Sequence, residues 1–202
     1  MTFTTPLPTI TLTGDLVRLE PLSHDHAPGL VDALNDGRMW ELWYTQVPRP
    51  DELAAEIDRR LERHAKGELL PFTAIRQTDD QVLGMTTYHD VDPTIPKVDI
   101  GYTWNRQSAH GTGTNAESKL LLLRHAFDTL GCECVGLRTQ WTNFQSRAAI
   151  ERLGAKLDGV LRAARRAGNG ALMDVVEYSI LRSEWPAVRA NLEFRLSRHG
   201  RG

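Results

Sequence analysis

The residues of this chain best suited to hold a charged ligand are two glycines placed just before a helix. They lie in Ala109-His110-Gly111-Thr112-Gly113-Thr114-Asn115-Ala116-Glu117-Ser118-Lys119. First-turn amides of a helix have no carbonyl partner, and with the helix dipole they form a seat for phosphate oxygens, which glycine lets approach closely. The same residues also read as a connecting turn, with Thr114 and Glu117 at the spacing of a capping box. A nucleoside triphosphate loop does not fit, since counting from Gly113 puts Ser118 where the second glycine belongs and Leu120 after Lys119. A dinucleotide loop fits locally: Gly111, Gly113 and Ala116 satisfy its pattern, and Glu133 stands 20 residues past Gly113. Its context is wrong, because the motif follows a run of strands and fewer than 100 residues remain for a doubly wound sheet. Cys132 and Cys134 stand two apart in an extended stretch, a poor geometry for a disulfide and too few ligands for zinc. They read as free thiols. His24 and His26 lack a third ligand at convincing spacing, so no metal site is expected.

The elements that must position this loop alternate along the chain. Leu12 to Leu22 reads as a first strand, and Ser23 as the cap of a helix carrying Leu30, Val31 and Leu34, stopped by Asn35-Asp36-Gly37. Pro50 to Lys66 has Leu53, Ile57 and Leu61 four apart among charges, an amphipathic helix closed by Gly67. Phe72 to Arg76, Val82 to Tyr88 and Lys97 to Trp104 read as strands separated by turn residues, an antiparallel meander. After the glycine loop comes a helix with Leu120, Leu123, Phe127 and Leu130 on one face and Gly131 at its end. Cys134 to Trp141 is a strand and Ser146 to Leu153 a short helix ended by Gly154. Ala155 to Arg165 and Ala171 to Leu181 form a hairpin around Gly168-Asn169-Gly170, and a final helix covers about 183–197. The expected fold class is α+β, a mostly antiparallel mixed sheet flanked by helices in a single domain over 1–202.

A formal net charge of -2 and a pI near 6.4 provide no basic field for nucleic acid or membrane surfaces, so a small-molecule partner is expected. Met1 to Ile10 lack the basic start and apolar core of a signal peptide, and no apolar run is long enough to span a bilayer. The expected location is the cytoplasm.

Two further segments make the glycine loop specific. One strand beyond its helix stands Asn143-Phe144-Gln145-Ser146-Arg147, followed by Glu151-Arg152-Leu153-Gly154-Ala155. The strand Val98-Asp99-Ile100-Gly101-Tyr102-Thr103-Trp104 and the opening Leu16-Val17-Arg18-Leu19-Glu20-Pro21-Leu22 precede it. Taken together, this pattern resembles the GNAT N-acetyltransferases, in particular the RimJ/RimL-like branch that acetylates ribosomal-protein N-termini. The resemblance runs from about 12 to 181. Ser108 replaces the usual Gln or Arg of the loop, His110 a usual large residue, and Trp141 a usual small or acidic one.

That resemblance implies the GNAT fold and transfer of an acetyl group from acetyl-CoA to a primary amine, a peptide N-terminus or a small molecule, by direct attack on the thioester. It implies that the main chain around Trp104 holds the pantetheine beside a strand bulge, that His110, Gly111, Thr112, Gly113, Thr114 and Asn115 surround the pyrophosphate, and that Asn143 binds pantetheine unless it is merely an N-cap. Ser146 becomes the general acid toward the leaving thiolate, with a first-turn helix serine as the competing reading. Asp99 occupies the strand position of the family's base and ranks just above His89, whose intrinsic pKa suits the task better. Glu117 reads as a cap and His125 as a packed or surface side chain. Arg106, Lys119, Arg147 and Arg152 are candidates for the 3′-phosphate, with Arg147 ranked among the cofactor-binding residues. Trp40, Trp43 and Tyr44 fall where the family covers its acceptor groove, against core packing as the alternative. The final helix, Glu184 to Leu196, offers a surface for a homodimer. A noncatalytic acyl-CoA sensor of the same fold and a dinucleotide-dependent oxidoreductase are the rival functions.

Overall fold

The structure, a computed structural model, describes residues 5–199. Eight strands form one sheet in the order β1-β2-β3-β4-β5-β6-β8-β7. They are β1 (Leu12–Thr13), β2 (Val17–Pro21), β3 (Leu69–Arg76), β4 (Val82–Asp92), β5 (Lys97–Asn105), β6 (Cys134–Gln140), β7 (Lys156–Arg166) and β8 (Leu172–Leu181). Every neighbouring pair is antiparallel except β5 with β6. Five α-helices accompany them: α1 (Ala27–Asn35), α2 (Leu53–Ala65), α3 (Thr114–Arg124), α4 (Phe144–Leu153) and α5 (Trp185–His199). The single parallel junction is made by α3, because two parallel neighbours need a crossover. A doubly wound sheet would be mostly parallel, so the dinucleotide reading fails on topology, and Glu133 faces Arg182 at 3.8 Å on the surface.

Alternation along the strands sends apolar side chains to both faces. Leu70, Phe72, Tyr88, Val98, Ile100, Val135 and Tyr178 pack with α3, α4 and α5, while Met85 and Trp104 join Leu30, Leu34, Leu53 and Ile57 of α1 and α2. Among the described residues no helix is long and apolar enough to cross a membrane.

Three local expectations change. The strand anticipated over Leu12–Leu22 is a hairpin of two strands, turned at Gly14 with its N–H donating to Val17 O at 2.9 Å. Glu117 does not cap α3, whose N-cap is Gly113. Its carboxylate instead accepts the backbone N–H groups of Asp15 (3.0 Å), Leu16 (2.7 Å) and Val17 (2.7 Å), tying the β1–β2 turn to the helix. A Cβ on Gly14 would stand 2.5 Å from that carboxyl, which is why glycine is needed there. Finally, α3 is not one-sided: Glu117 through Leu123 are all buried, as in a helix enclosed by sheet and α5. It continues as a π-helical turn over His125–Thr129, and His125 is buried in the core.

Candidate active site

The parallel ladder between β5 and β6 runs only from Lys97↔Cys134 to Ile100↔Leu137. Immediately beyond it β5 carries a bulge: Thr87 pairs with Gly101 and Met85 with Trp104, so three steps on β5 answer two on β4. Tyr102, inside the bulge, has φ +48°. The extra residue turns β5 away from β6. A cleft of about 390 Å³ opens between Tyr102–Asn105 on one side and Arg138–Gln140 on the other. Its walls leave polar groups unused: Gln140 Oε1 and Trp104 Nε1 are buried without hydrogen-bond partners. The separated strand edges and these orphaned groups fit a chain of amides lying between them.

His110 and Gly111 form the cleft's rim, and Asn115 and Lys119 line it from α3. Gly113 (φ +89°) ends the loop in a left-handed conformation that glycine adopts freely, and the first amide bond inside the helix is Glu117 N–H to Gly113 O at 2.9 Å. The amides of Thr114, Asn115 and Ala116 therefore precede any helical carbonyl. A Cβ at Gly111 (φ +78°) would meet nothing within 4 Å, so open space lies over the loop. Thr112 donates its hydroxyl to Ala109 O at 2.7 Å and bonds Thr114 Oγ1 at 3.0 Å, so both hydroxyls shape the loop rather than face the cleft.

On the far wall Asn143 caps α4, its Oδ1 accepting the Ser146 amide at 3.0 Å, and both residues line the cleft. The cap leaves the Asn143 side-chain NH₂ free and holds Ser146 in the helix's first turn. Among the described residues Ser146 Oγ has no hydrogen-bond partner. Arg147 points elsewhere: its guanidinium stacks 4.2 Å from the Trp141 ring and donates to Trp141 O and Tyr178 Oη, both at 3.3 Å. Arg106 is buried against Asp36 (2.8 Å) and Asp32 (3.3 Å) and is a structural ion pair. Arg152 reaches the cleft.

The two candidate bases stand opposite each other, His89 on β4 paired with Asp99 on β5. They differ in access. His89 lines the cleft; Asp99 does not, and its Oδ2 is held by Arg138 at 2.5 Å with Lys97 3.5 Å from Oδ1. Burial lowers the His89 pKa below the ordinary histidine value, opposed by the carboxylates of Asp90 and Asp99. Its Nδ1 lies 3.5 Å from Asp90 Oδ2, and its ring packs edge-on to Tyr102 at 4.8 Å. A Cβ on Gly101 would come within 2.3 Å of Nε2, so the imidazole occupies the space that glycine leaves. His89, Asp90 and Asp99 bring ligand-type atoms within 4.8 Å of one another, but Arg138 already bridges both carboxylates as their cation.

Of the aromatic trio only Tyr44 lines the cleft, beside Met39 and Thr45 to Val47. Trp40 packs into the α1–α2 core, and Trp43 is half exposed, edge-on to Tyr44. Gln140, Arg138 and Arg60 are cleft residues that no motif singled out. Arg60 is buried, bonded to Glu56 (2.6 Å) and Thr87 (2.7 Å), with the Tyr102 ring 5.1 Å away. Their placement depends on which strands become neighbours, a long-range fact without a local signature.

A sheet split at its one parallel junction, with a glycine loop and helix start at the mouth of the split, defines an acyl-CoA transferase architecture. The sequence profile of the acetyltransferase (GNAT) domain matches residues 17–156, and the chain belongs to that family, whose members use acetyl-CoA. Among its relatives is a Bacillus subtilis (strain 168) protein, YdaF, named as a ribosomal N-acetyltransferase, 33% identical over 107 residues. That alignment covers 53% of this chain and 57% of the relative, so the chain spans just over half the length of the curated relative it matches. A crystal structure from T. thermophilus, described as an acetyltransferase, is 34% identical with a TM-score of 0.81, covering 94% of this chain and 98% of that one. A GCN5-related N-acetyltransferase from Brucella melitensis is 25% identical with a TM-score of 0.82, covering 97% and 90%.

Proposed function

We propose that the chain works as one domain that transfers an acetyl group from acetyl-CoA to a primary amine by direct attack. The observation that carries this reading is the splay of β5 from β6 at the Tyr102 bulge, directly below the α3 amides. Acetyl-CoA supplies an activated thioester. The protein's task is to align that thioester with an amine, remove a proton and receive negative charge. Tyr102 to Asn105 and Gln140 hold pantetheine, and Gly111 to Asn115 the pyrophosphate.

His89 takes the amine proton. Held neutral by burial, it has a free electron pair near neutral pH, and Asp90 and Asp99 stabilise the imidazolium once it forms. Asp99 is a positioning residue, since it lies outside the cleft lining with Oδ2 held by Arg138 and Lys97 3.5 Å from Oδ1. Ser146 Oγ donates to the leaving sulfur. The amine enters past Tyr44, Gln46 and Arg60. We take its class to be the N-terminus of a protein, as the name of the Bacillus subtilis relative suggests. The two free cysteines accord with a cytoplasmic site of action.

Free-thiol release from acetyl-CoA, measured with pools of N-terminal peptides and of small amines, tests reaction and acceptor together. Release with peptides supports the reading and release with small amines alone redirects the acceptor. Saturable CoA binding without release in any pool would leave a noncatalytic acyl-CoA sensor.

A further inference from the structure

Among the described residues Lys119 is the one buried lysine side chain on the cleft wall. It leaves α3 one turn after Asn115, and helical side chains lean toward the N-terminus, so its ammonium lies beneath the first turn. There it donates to Thr86 Oγ1 on β4 (3.1 Å) and Thr103 Oγ1 on β5 (2.9 Å), whose hydroxyls also bond each other at 2.8 Å. An ammonium has three donors, and two are used. Among the described residues no carboxylate forms an ion pair with it. The other ionisable groups of the cleft wall are His89, His110, the phenols of Tyr44 and Tyr102 and the arginines Arg60, Arg138, Arg152 and Arg165, and none is a carboxylate.

An unpaired buried cation is costly, so the side chain either gives up its proton or is met by a ligand that brings the counter-charge. Thr103 directly follows the bulge residue Tyr102, and both Thr103 and Lys119 line the cleft. Burial alone lowers its pKa to about 7, with no neighbouring charge contributing.

We propose that Lys119 is a binding residue for an anionic group of acyl-CoA, either the diphosphate or a carboxylate at the end of the acyl chain, and that binding draws a proton onto it. The inference rests on the acyl-CoA reading above. An anion beside the ammonium raises its pKa, so the complex takes up a proton above the free value. Affinity is then greatest below about pH 7 and falls as pH rises through it.

The test is calorimetric titration of the full chain with acetyl-CoA, acetyl-pantetheine and succinyl-CoA between about pH 6 and about pH 9, in buffers of differing ionisation enthalpy, for wild type and Lys119→Met. Wild-type affinity is expected to fall about tenfold across that window with measurable proton uptake. Lys119→Met, which removes an uncompensated buried charge, should fold at least as stably, bind about tenfold more weakly at the acidic end and show no uptake. Uptake with acetyl-CoA that persists when its 3′-phosphate is removed and disappears with acetyl-pantetheine identifies the diphosphate, and uptake confined to succinyl-CoA identifies the carboxylate. If Lys119→Met shifts only the thermal midpoint and keeps wild-type affinity and pH dependence for every ligand, the inference is overturned. If wild type binds none of the three, the acyl-CoA reading falls first and this inference with it.

Discussion

At the scale of single residues, His89 and Asp99 show how burial divides two plausible bases. Both are buried and they face each other, but only His89 reaches the cleft while Asp99 serves Arg138. The acidic limb of the pH–rate profile should therefore lie below the ordinary histidine value of about 6.5, because activity is lost as falling pH protonates an imidazole whose pKa burial has depressed. His89→Gln should lower turnover by about 100-fold or more and flatten that limb, with acetyl-CoA affinity retained. The profile needs repeating with acceptors of different amine pKa, since an acceptor's own titration produces a similar limb. Gly101→Ala, which pushes a methyl into the imidazole's space, should imitate the loss in a folded protein. Ser146→Ala should reduce turnover at nearly unchanged acetyl-CoA affinity, because its contact matters chiefly as the thiolate forms. A wild-type rate in that variant would remove Ser146 from the mechanism. Gly111→Val should weaken CoA binding by about tenfold or more with native far-ultraviolet circular dichroism, since a β-branched residue strains the loop at φ +78° and its bulk enters the open space above it. Burial pushes the Cys132 thiol up to about 12 and also raises that of Cys134, which argues against either as a thiolate nucleophile.

The elements were largely legible in the sequence because most carry local signals. Leu53, Ile57 and Leu61 at fourfold spacing mark α2, Gly154 ends α4 at φ +102°, and the turn at Gly168-Asn169-Gly170 joins β7 to β8. The errors fall where distant parts meet. Glu117 has the spacing of a cap, and its true partners lie about 100 residues earlier, in a turn that read as continuous strand. Arg147, which the resemblance assigns to the cofactor, rests here on the Trp141 ring, a flat partner for a guanidinium that its position in the motif does not announce. Glu117→Ala leaves three amides of the β1–β2 turn without an acceptor. It should cost about 3 kcal/mol or more, or about 10 °C in thermal midpoint, while Glu117→Gln, retaining one acceptor oxygen, should lose less. Equal stability of wild type and the alanine variant in thermal denaturation would show that water satisfies those amides.

For the molecule as a whole, the cleft is a defect in an otherwise continuous sheet, and a defect confined to one junction makes a sharp prediction about protection. Adding CoA should slow amide exchange in Tyr102–Asn105, Arg138–Gln140 and the start of α3, and leave the β7–β8 hairpin unaffected. Protection spread evenly over the sheet would speak against binding in the split. The order of strands gives that split a further meaning. Strands β1 to β5 come from the chain before Thr114 and β6 to β8 from the chain after it, so the junction that opens is also where two sequence-contiguous halves meet. Between them the sheet offers four paired positions, from Lys97 to Ile100, with α3 spanning the gap. A ligand lodged there touches both halves and acts as a removable staple, adding to the attraction between them in proportion to the logarithm of its concentration over its dissociation constant. A chain severed beyond α3, at Gly131, which leaves the glycine loop whole, should then rejoin its halves most readily when acyl-CoA is abundant.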